Sequence, residues 1–149
     1  MSKPILCCDF DGVIHSYTSK WTDEATISDP PVPGALRWLW AATEWWDVQI
    51  YSSRSKSSAG VSAMQSWLET HAAHEWGDLD FARQFVAAFK FPTQKPAAFL
   101  TIDDRAVCFE GDWGELDPCE LLNFRPWNKR EPLGATVRRL GIAFPLVKV

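Results

Sequence analysis

The sequence predicts an α/β fold built on a mostly parallel sheet. Two observations carry this. Short apolar runs with strand character alternate with longer segments whose apolar residues recur at helical spacing. The residues with chemical potential also sit where apolar runs end, and ligands gather at that edge of an open α/β sheet. At 149 residues the chain reads as one domain, 1–149, long enough to bury a core. It holds no internal repeat, low-complexity tract or linker, and its crossovers should be right-handed.

The first strand is expected over about 4–9, from the apolar run Ile5 to Cys8. Gly12 breaks that run, so Asp9 and Asp11 fall at its carboxyl end. Alternation along a strand points both the same way. A polar loop runs from about His15 to Pro33. Its Asp29-Pro30-Pro31-Val32-Pro33-Gly34 end resists helix until Pro33, which suits a first turn. The first helix, about 33–46, carries Leu36, Leu39, Trp40 and Thr43 at i, i+3, i+4 and i+7. The second strand is about 47–52. The second helix, about 58–73, has Val61, Met64 and Leu68 on one face.

Residues 74–85 read either way, and Phe85 to Phe91 suggests a short third strand. A fourth strand is expected over about 98–103, and Val107-Cys108-Phe109 as a fifth. Asp117-Pro118-Cys119-Glu120 fits a capped helix start. Leu133, Thr136, Val137 and Leu140 mark a last helix stopped by Gly141.

Composition narrows the function classes. Apolar residues make up 46% and charged residues 23%, which excludes disorder as a default. The net charge of −4 argues against a grip on long nucleic acid. Lys129, Arg130, Arg138 and Arg139 form a local basic cluster, read as a solvated helix flank. Of nine Trp, five (Trp38, Trp40, Trp45, Trp46 and Trp67) fall in helical patterns and are expected in the core. Cys7, Cys8, Cys108 and Cys119 show no CxxC spacing. They read as small buried apolar residues in a reducing compartment, without a zinc site. No signal-peptide core or membrane-length apolar run appears, so a cytoplasmic location is expected.

The chemistry starts at Cys8-Asp9-Phe10-Asp11-Gly12-Val13. Two carboxylates this close repel unless a cation or a shared proton relieves them. A lone DxD is as readily an Asx-rich turn, but three more signals follow in order. Ser52, Ser53 and Arg54 end the second strand. Lys95 precedes Pro96. The run Ala97 to Ile102 leads into Asp103-Asp104-Arg105, and acids beside a buried strand are costly without a cation. Each signal alone has a structural reading: a capping serine, a surface lysine, an acidic turn.

Together, over roughly residues 5–110, these motifs resemble the haloacid dehalogenase-like (HAD) phosphohydrolase superfamily, of the type found in phages and bacteria. The segments Ser52-Ser53-Arg54 and Ile102-Asp103-Asp104-Arg105 are also similar to the 3′-phosphatase half of phage polynucleotide end-healing enzymes. The segment from about Gly114 on adds nothing to the likeness. The resemblance implies a three-layer Rossmannoid fold. A cap domain would need room between motifs. Asp9 and Ser52 lie 43 residues apart, as do Ser52 and Lys95, and helices and strands fill both gaps. The chain thus reads as capless, with the loop His15 to Val32 as its one candidate lid. An open site suits large substrates, or an oligomer that closes it.

The resemblance also implies roles. Asp9 is the nucleophile that forms an aspartyl-phosphate. Asp11 protonates the leaving group and then activates water. Ser52, rather than its competitor Ser53, donates to a phosphate oxygen. Lys95, rather than Lys90, neutralises phosphate charge. Asp9, the backbone carbonyl of Asp11, Asp103 and Asp104 hold magnesium. Substrate contacts are expected from Ser52, Ser53, Arg54, Lys95 and His15. Tyr17 and Trp21 stand close by in sequence, and Arg54 and Arg105 suit a second phosphate or an ion pair. The substrate class is a phosphomonoester, a small molecule or a nucleic-acid 3′ end. Two other classes compete. A receiver-type phospho-acceptor has its acidic residues in the opposite order. A silent phosphate-binding protein would not need all four motifs.

Overall fold

A computed structural model describes residues 2–130. The helix expected over Leu133 to Leu140, and Arg138 and Arg139 of the basic cluster, lie outside the described residues. The chain falls into two compact units, one ending at Val107 and a second starting at Cys108. All four motifs belong to the first.

The first unit is mixed α/β. Its sheet has three parallel strands, β1 (Ile5–Cys8), β2 (Asp47–Ile50) and β3 (Leu100–Ile102), in the order β2-β1-β3. β1 is therefore central, as its unbroken apolar run requires: Leu6, Cys7 and Cys8 are all buried. In register, Cys8 faces Ile50 on one side and Ile102 on the other. All three strands thus end level, and the residues after them share one edge. Two bonds extend the ladder there, Asp9 N–H to the Ile102 carbonyl (2.9 Å) and Tyr51 N–H to the Cys8 carbonyl (3.0 Å).

The helices are α1 (Ala35–Ala42), α2 (Ser58–Trp76) and α3 (Leu79–Ala87). α1 is shorter than expected at both ends. Gly34, in the left-handed region at φ 84°, caps it, so Pro33 precedes the helix. Its buried face is Leu36, Leu39 and Ala42. Trp38 and Trp45 consequently face outward, 51% and 69% exposed. Trp40 is partly exposed and packs edge-on against Phe81, and Trp46 is half-buried. Of the five Trp expected inside, only Trp67 is buried in the core.

α2 starts where Ser57 Oγ accepts the Gly60 N–H and runs one turn further than expected. Gly77 ends it in the left-handed region, φ 64°, and Asp78 at once caps α3 through the Phe81 N–H. The ambiguous stretch is therefore a helix end, a turn and a second helix. The expected third strand is corrected as well. Phe81, Phe85 and Phe89 recur every fourth residue and pack against α2 and each other, which is a helical period. Only Lys90 reaches the sheet, as an isolated bridge to Gln49.

Val107-Cys108-Phe109, where the first unit ends and the second starts, forms no strand. The expected helix start at Asp117 is a short 3-10 turn, Glu120–Asn123, with Asp117 Oδ1 accepting the Cys119 and Glu120 N–H groups. Cys108 and Cys119 are exposed, contrary to expectation, whereas Cys7 and Cys8 are buried. No helix among the described residues is long and apolar enough to cross a membrane.

Candidate functional site

The level strand ends bring Asp9, Ser52 and Asp103 to one edge. After Asp9 the chain turns tightly: the Phe10 carbonyl accepts the N–H groups of Val13, Ile14 and His15. Gly12 sits in this turn at φ 79°. A Cβ there would lie 2.2 Å from Asp104 Oδ2. Glycine is therefore required twice, for the left-handed backbone and for the approach of the Asp104 carboxylate.

Asp9, Asp103 and Asp104 each offer a carboxylate oxygen within 4.8 Å of the others. Asp9 Oδ1 accepts the Phe10 N–H at 2.8 Å, and Asp103 Oδ1 accepts the Arg105 N–H at 2.9 Å. Asp104 is different. Its side chain is 2% exposed, and apart from the Asp9 carboxyl and its own backbone N–H no donor serves its oxygens. Arg105 Nε stands 3.9 Å away, too far to donate. The neighbouring Asp9 is itself an acid and can donate only if it carries a proton. Burial, then the nearby Asp103 and Asp104 charges, push Asp9 up to about 8, against the pull of the Phe10 N–H. Burial likewise raises Asp104.

Asp11 leaves this cluster and turns the other way. His15 Nδ1 lies 2.8 Å from Asp11 Oδ1, and Arg54 Nε bonds both oxygens at 3.1 and 2.9 Å. Burial would push its carboxyl up, but the bonds from His15 and Arg54 outweigh burial and hold Asp11 below the usual range. Sequence reasoning has Asp9 ionised and Asp11 protonated. The protein's own groups set the reverse order, because the Arg54 guanidinium and the His15 ring N–H point at Asp11.

Arg54 and His15 also depart from their expected substrate contacts. Arg54 is 1% exposed. Its Nη1 donates towards the carbonyls of Asp23, Glu24 and Thr26, at 3.1, 2.8 and 3.0 Å. His15 is 2% exposed, and its Nε2 accepts the Asp29 N–H at 3.1 Å. That bond leaves the ring proton on Nδ1, donated to Asp11. Both residues position Asp11 and bond to the candidate lid loop. Ser19 bonds Asp29 twice, and Trp67 Nε1 donates to its carbonyl, which fixes the loop further.

The remaining residues line two small cavities that meet at Asp9 and Ser53. One, about 190 Å³, is bordered by Cys7, Tyr51, Ser52, Lys95, Thr101 and Asp103. The other, about 150 Å³, is bordered by Asp11, Tyr17, Trp21, Asp104 and Arg105. Ser52, preferred over Ser53 on the resemblance, is buried, and its Oγ already accepts the Arg54 N–H at 2.9 Å. Ser53 is exposed and borders both cavities. Lys90 is excluded by position: its Nζ pairs with Asp47 Oδ2 at 2.8 Å, at the start of β2 and the far edge of the sheet.

Two contributors escaped sequence reasoning. Asp29 anchors His15, and only its place before two prolines hinted at a fixed conformation. Gly60 is the second: a Cβ there would meet the Arg54 carbonyl at 2.0 Å. No family model, curated protein or solved structure matches the chain.

Proposed function

We propose that this protein is a magnesium-dependent, capless HAD-like phosphohydrolase, with a three-layer Rossmannoid core, that hydrolyses a phosphomonoester. One observation carries the reading: three carboxylates converge at the strand ends, and the buried Asp104 side chain meets no cation within hydrogen-bond reach, only the acid of Asp9 and its own backbone. Burying such a group is costly without a cation. The donor set also fits magnesium, which takes oxygen ligands and keeps waters and substrate phosphate in the rest of its shell. Asp9, Asp103 and Asp104 would hold it, with the Asp11 backbone carbonyl as the further ligand the resemblance implies. Bound there, the ion would offset phosphate charge and favour ionised Asp9.

Ionised Asp9 attacks phosphorus and takes the phosphoryl group as an aspartyl-phosphate. Lys95 and Ser53, on the walls beside Asp9, meet the phosphate oxygens. Asp11, held ionised by Arg54 and His15, is suited to take the proton of the water that cleaves the intermediate. Its earlier role as acid requires it to gain a proton against those two partners. The site should therefore favour leaving groups that depart with little protonation.

The test is calorimetry with magnesium beside a phosphatase screen on small phosphates and 3′-phosphorylated oligonucleotides. The native protein should bind magnesium and Asp104→Asn should not. Equal binding by both proteins, or no magnesium-dependent turnover of any ester, defeats the reading.

A further inference from the structure

Trp21 is 43% exposed and borders the 150 Å³ cavity with Asp9, Asp11 and Asp104. Its ring is held from behind. The Arg54 guanidinium lies 4.6 Å from the ring centroid, and Arg54 is itself buried and bonded to Asp11 and three loop carbonyls. A cation–π contact with so fixed a cation sets the indole before any ligand arrives, and such pre-organisation lowers the cost of binding. Exposed aromatic residues are common on soluble proteins. Trp38 and Trp45 are such residues, and neither borders the carboxylates.

Tyr17 borders the same cavity at φ 53°, a left-handed backbone uncommon for a bulky residue. Strain of this kind concentrates at ligand sites. Position adds a constraint. The phosphate, met by Lys95 and Ser53, sits in the cavity of about 190 Å³. What carries it extends from Asp9 into the adjoining cavity, which Trp21 and Tyr17 border.

We propose that Trp21, held by Arg54 and flanked by Tyr17, is a stacking platform for a planar base, so that the substrate is a nucleoside phosphate. This rests on the phosphatase reading only for the seat of the phosphate. Base–aromatic stacking tolerates any base, so the platform selects a base-bearing ester without naming the base.

The test compares esters that differ in the base alone. Adenosine 5′-monophosphate, adenosine 3′-monophosphate and ribose 5-phosphate are titrated, with magnesium, into Asp9→Asn protein by calorimetry. Their hydrolysis is measured with Asp9 intact. The better adenosine ester should win over ribose 5-phosphate by roughly tenfold or more. Trp21→Leu should bring that ratio near one, and Trp21→Phe should keep most of it. Upfield ring-current shifts of the adenine protons in the complex need no variant at position 21, so they decide the matter even if Trp21→Leu does not fold. No preference for either adenosine ester, a preference that survives Trp21→Leu, or unshifted adenine protons would overturn the platform. Equal hydrolysis of all three esters leaves the phosphatase standing and removes the platform. Preferential binding without any hydrolysis does the opposite.

Discussion

On one side of the turn after β1, Asp9 meets two further acids and a single N–H from Phe10. On the other, Asp11 meets a buried arginine and a histidine, with three bonds between 2.8 and 3.1 Å. The residues are two apart in sequence, and one is pushed up to about 8 while the other is held low. Like charges gathered around one buried carboxylate destabilise the site until something cationic relieves them, which suits a place where a ligand arrives. Opposite charges satisfied within the chain hold one geometry, which suits a group that must stay aimed. On the proposed function, the Asp9 side is therefore the reacting half of the site and the Asp11 side its rigid half.

The largest expected effect tests that division directly. Asp9→Asn should erase turnover and aspartyl-phosphate formation together, yet leave the melting temperature unchanged or raised because repulsion is relieved. Asp11→Asn should instead slow turnover by roughly 10²–10⁴-fold and also lower stability, since Arg54 loses its partner. Rapid quench on an alkyl and an aryl phosphate, with thermal melts on both variants, separates these outcomes. A phospho-enzyme formed by Asp9→Asn, or equal slowing of both esters by Asp11→Asn in the first step, breaks the comparison.

Next in size is Arg54→Met. It removes the cation from Asp11, leaving only His15 there, and the donor that serves three loop carbonyls. Removing one partner of a buried pair costs about 3–5 kcal/mol. Arg54→Lys should recover only part of this, because a lysine cannot bond both carboxylate oxygens and reach the loop as well. Urea denaturation measures the loss. A cost within error of zero would mean that the rigid half is not rigid.

The smallest effect is the pH response, and here the halves oppose each other. Native Asp9 keeps a proton up to about 8 that the unfolded chain releases near 3.8. Its contribution is thus fully present at low pH and lost as pH climbs through that window. Asp11, held low, contributes above the ordinary carboxylate range and loses its contribution only as pH falls below it. With a chelator present, the melting temperature should fall between about pH 5 and 8. Magnesium should restore it mainly at the upper end, by about 2.7 kcal/mol at a hundredfold excess over Kd. Asp104→Asn should flatten both trends. A melting temperature that rises over this window, or magnesium acting equally at both ends, would place the charge stress elsewhere.

The sequence alone was enough for the three strands that form, because apolar runs broken by Gly12, Ser52 and Asp103 leave few other ways to bury them, although it also read strands at Phe85 to Phe91 and Val107 to Phe109 that do not form. It was also enough to bring the motif acids to one edge, since side chains just past parallel strands of matched register must lie together. Helix boundaries were less legible. Gly77-Asp78 is a stop and a start in adjacent positions, and phenylalanines four apart are helical, yet local β propensity at Phe85 to Phe91 pointed the other way. The tertiary structure alone decided which acid is satisfied. Arg54 lies 43 residues beyond Asp11, and whether it faces a ligand or a buried carboxylate depends on the turn of the loop over it. Likewise the Asp104 carboxylate is buried against the turn at Gly12, where a Cβ would not fit, an approach between residues 92 positions apart in the chain. Propensity and periodicity act over a few residues, whereas burial and charge pairing are set by whatever the fold brings close.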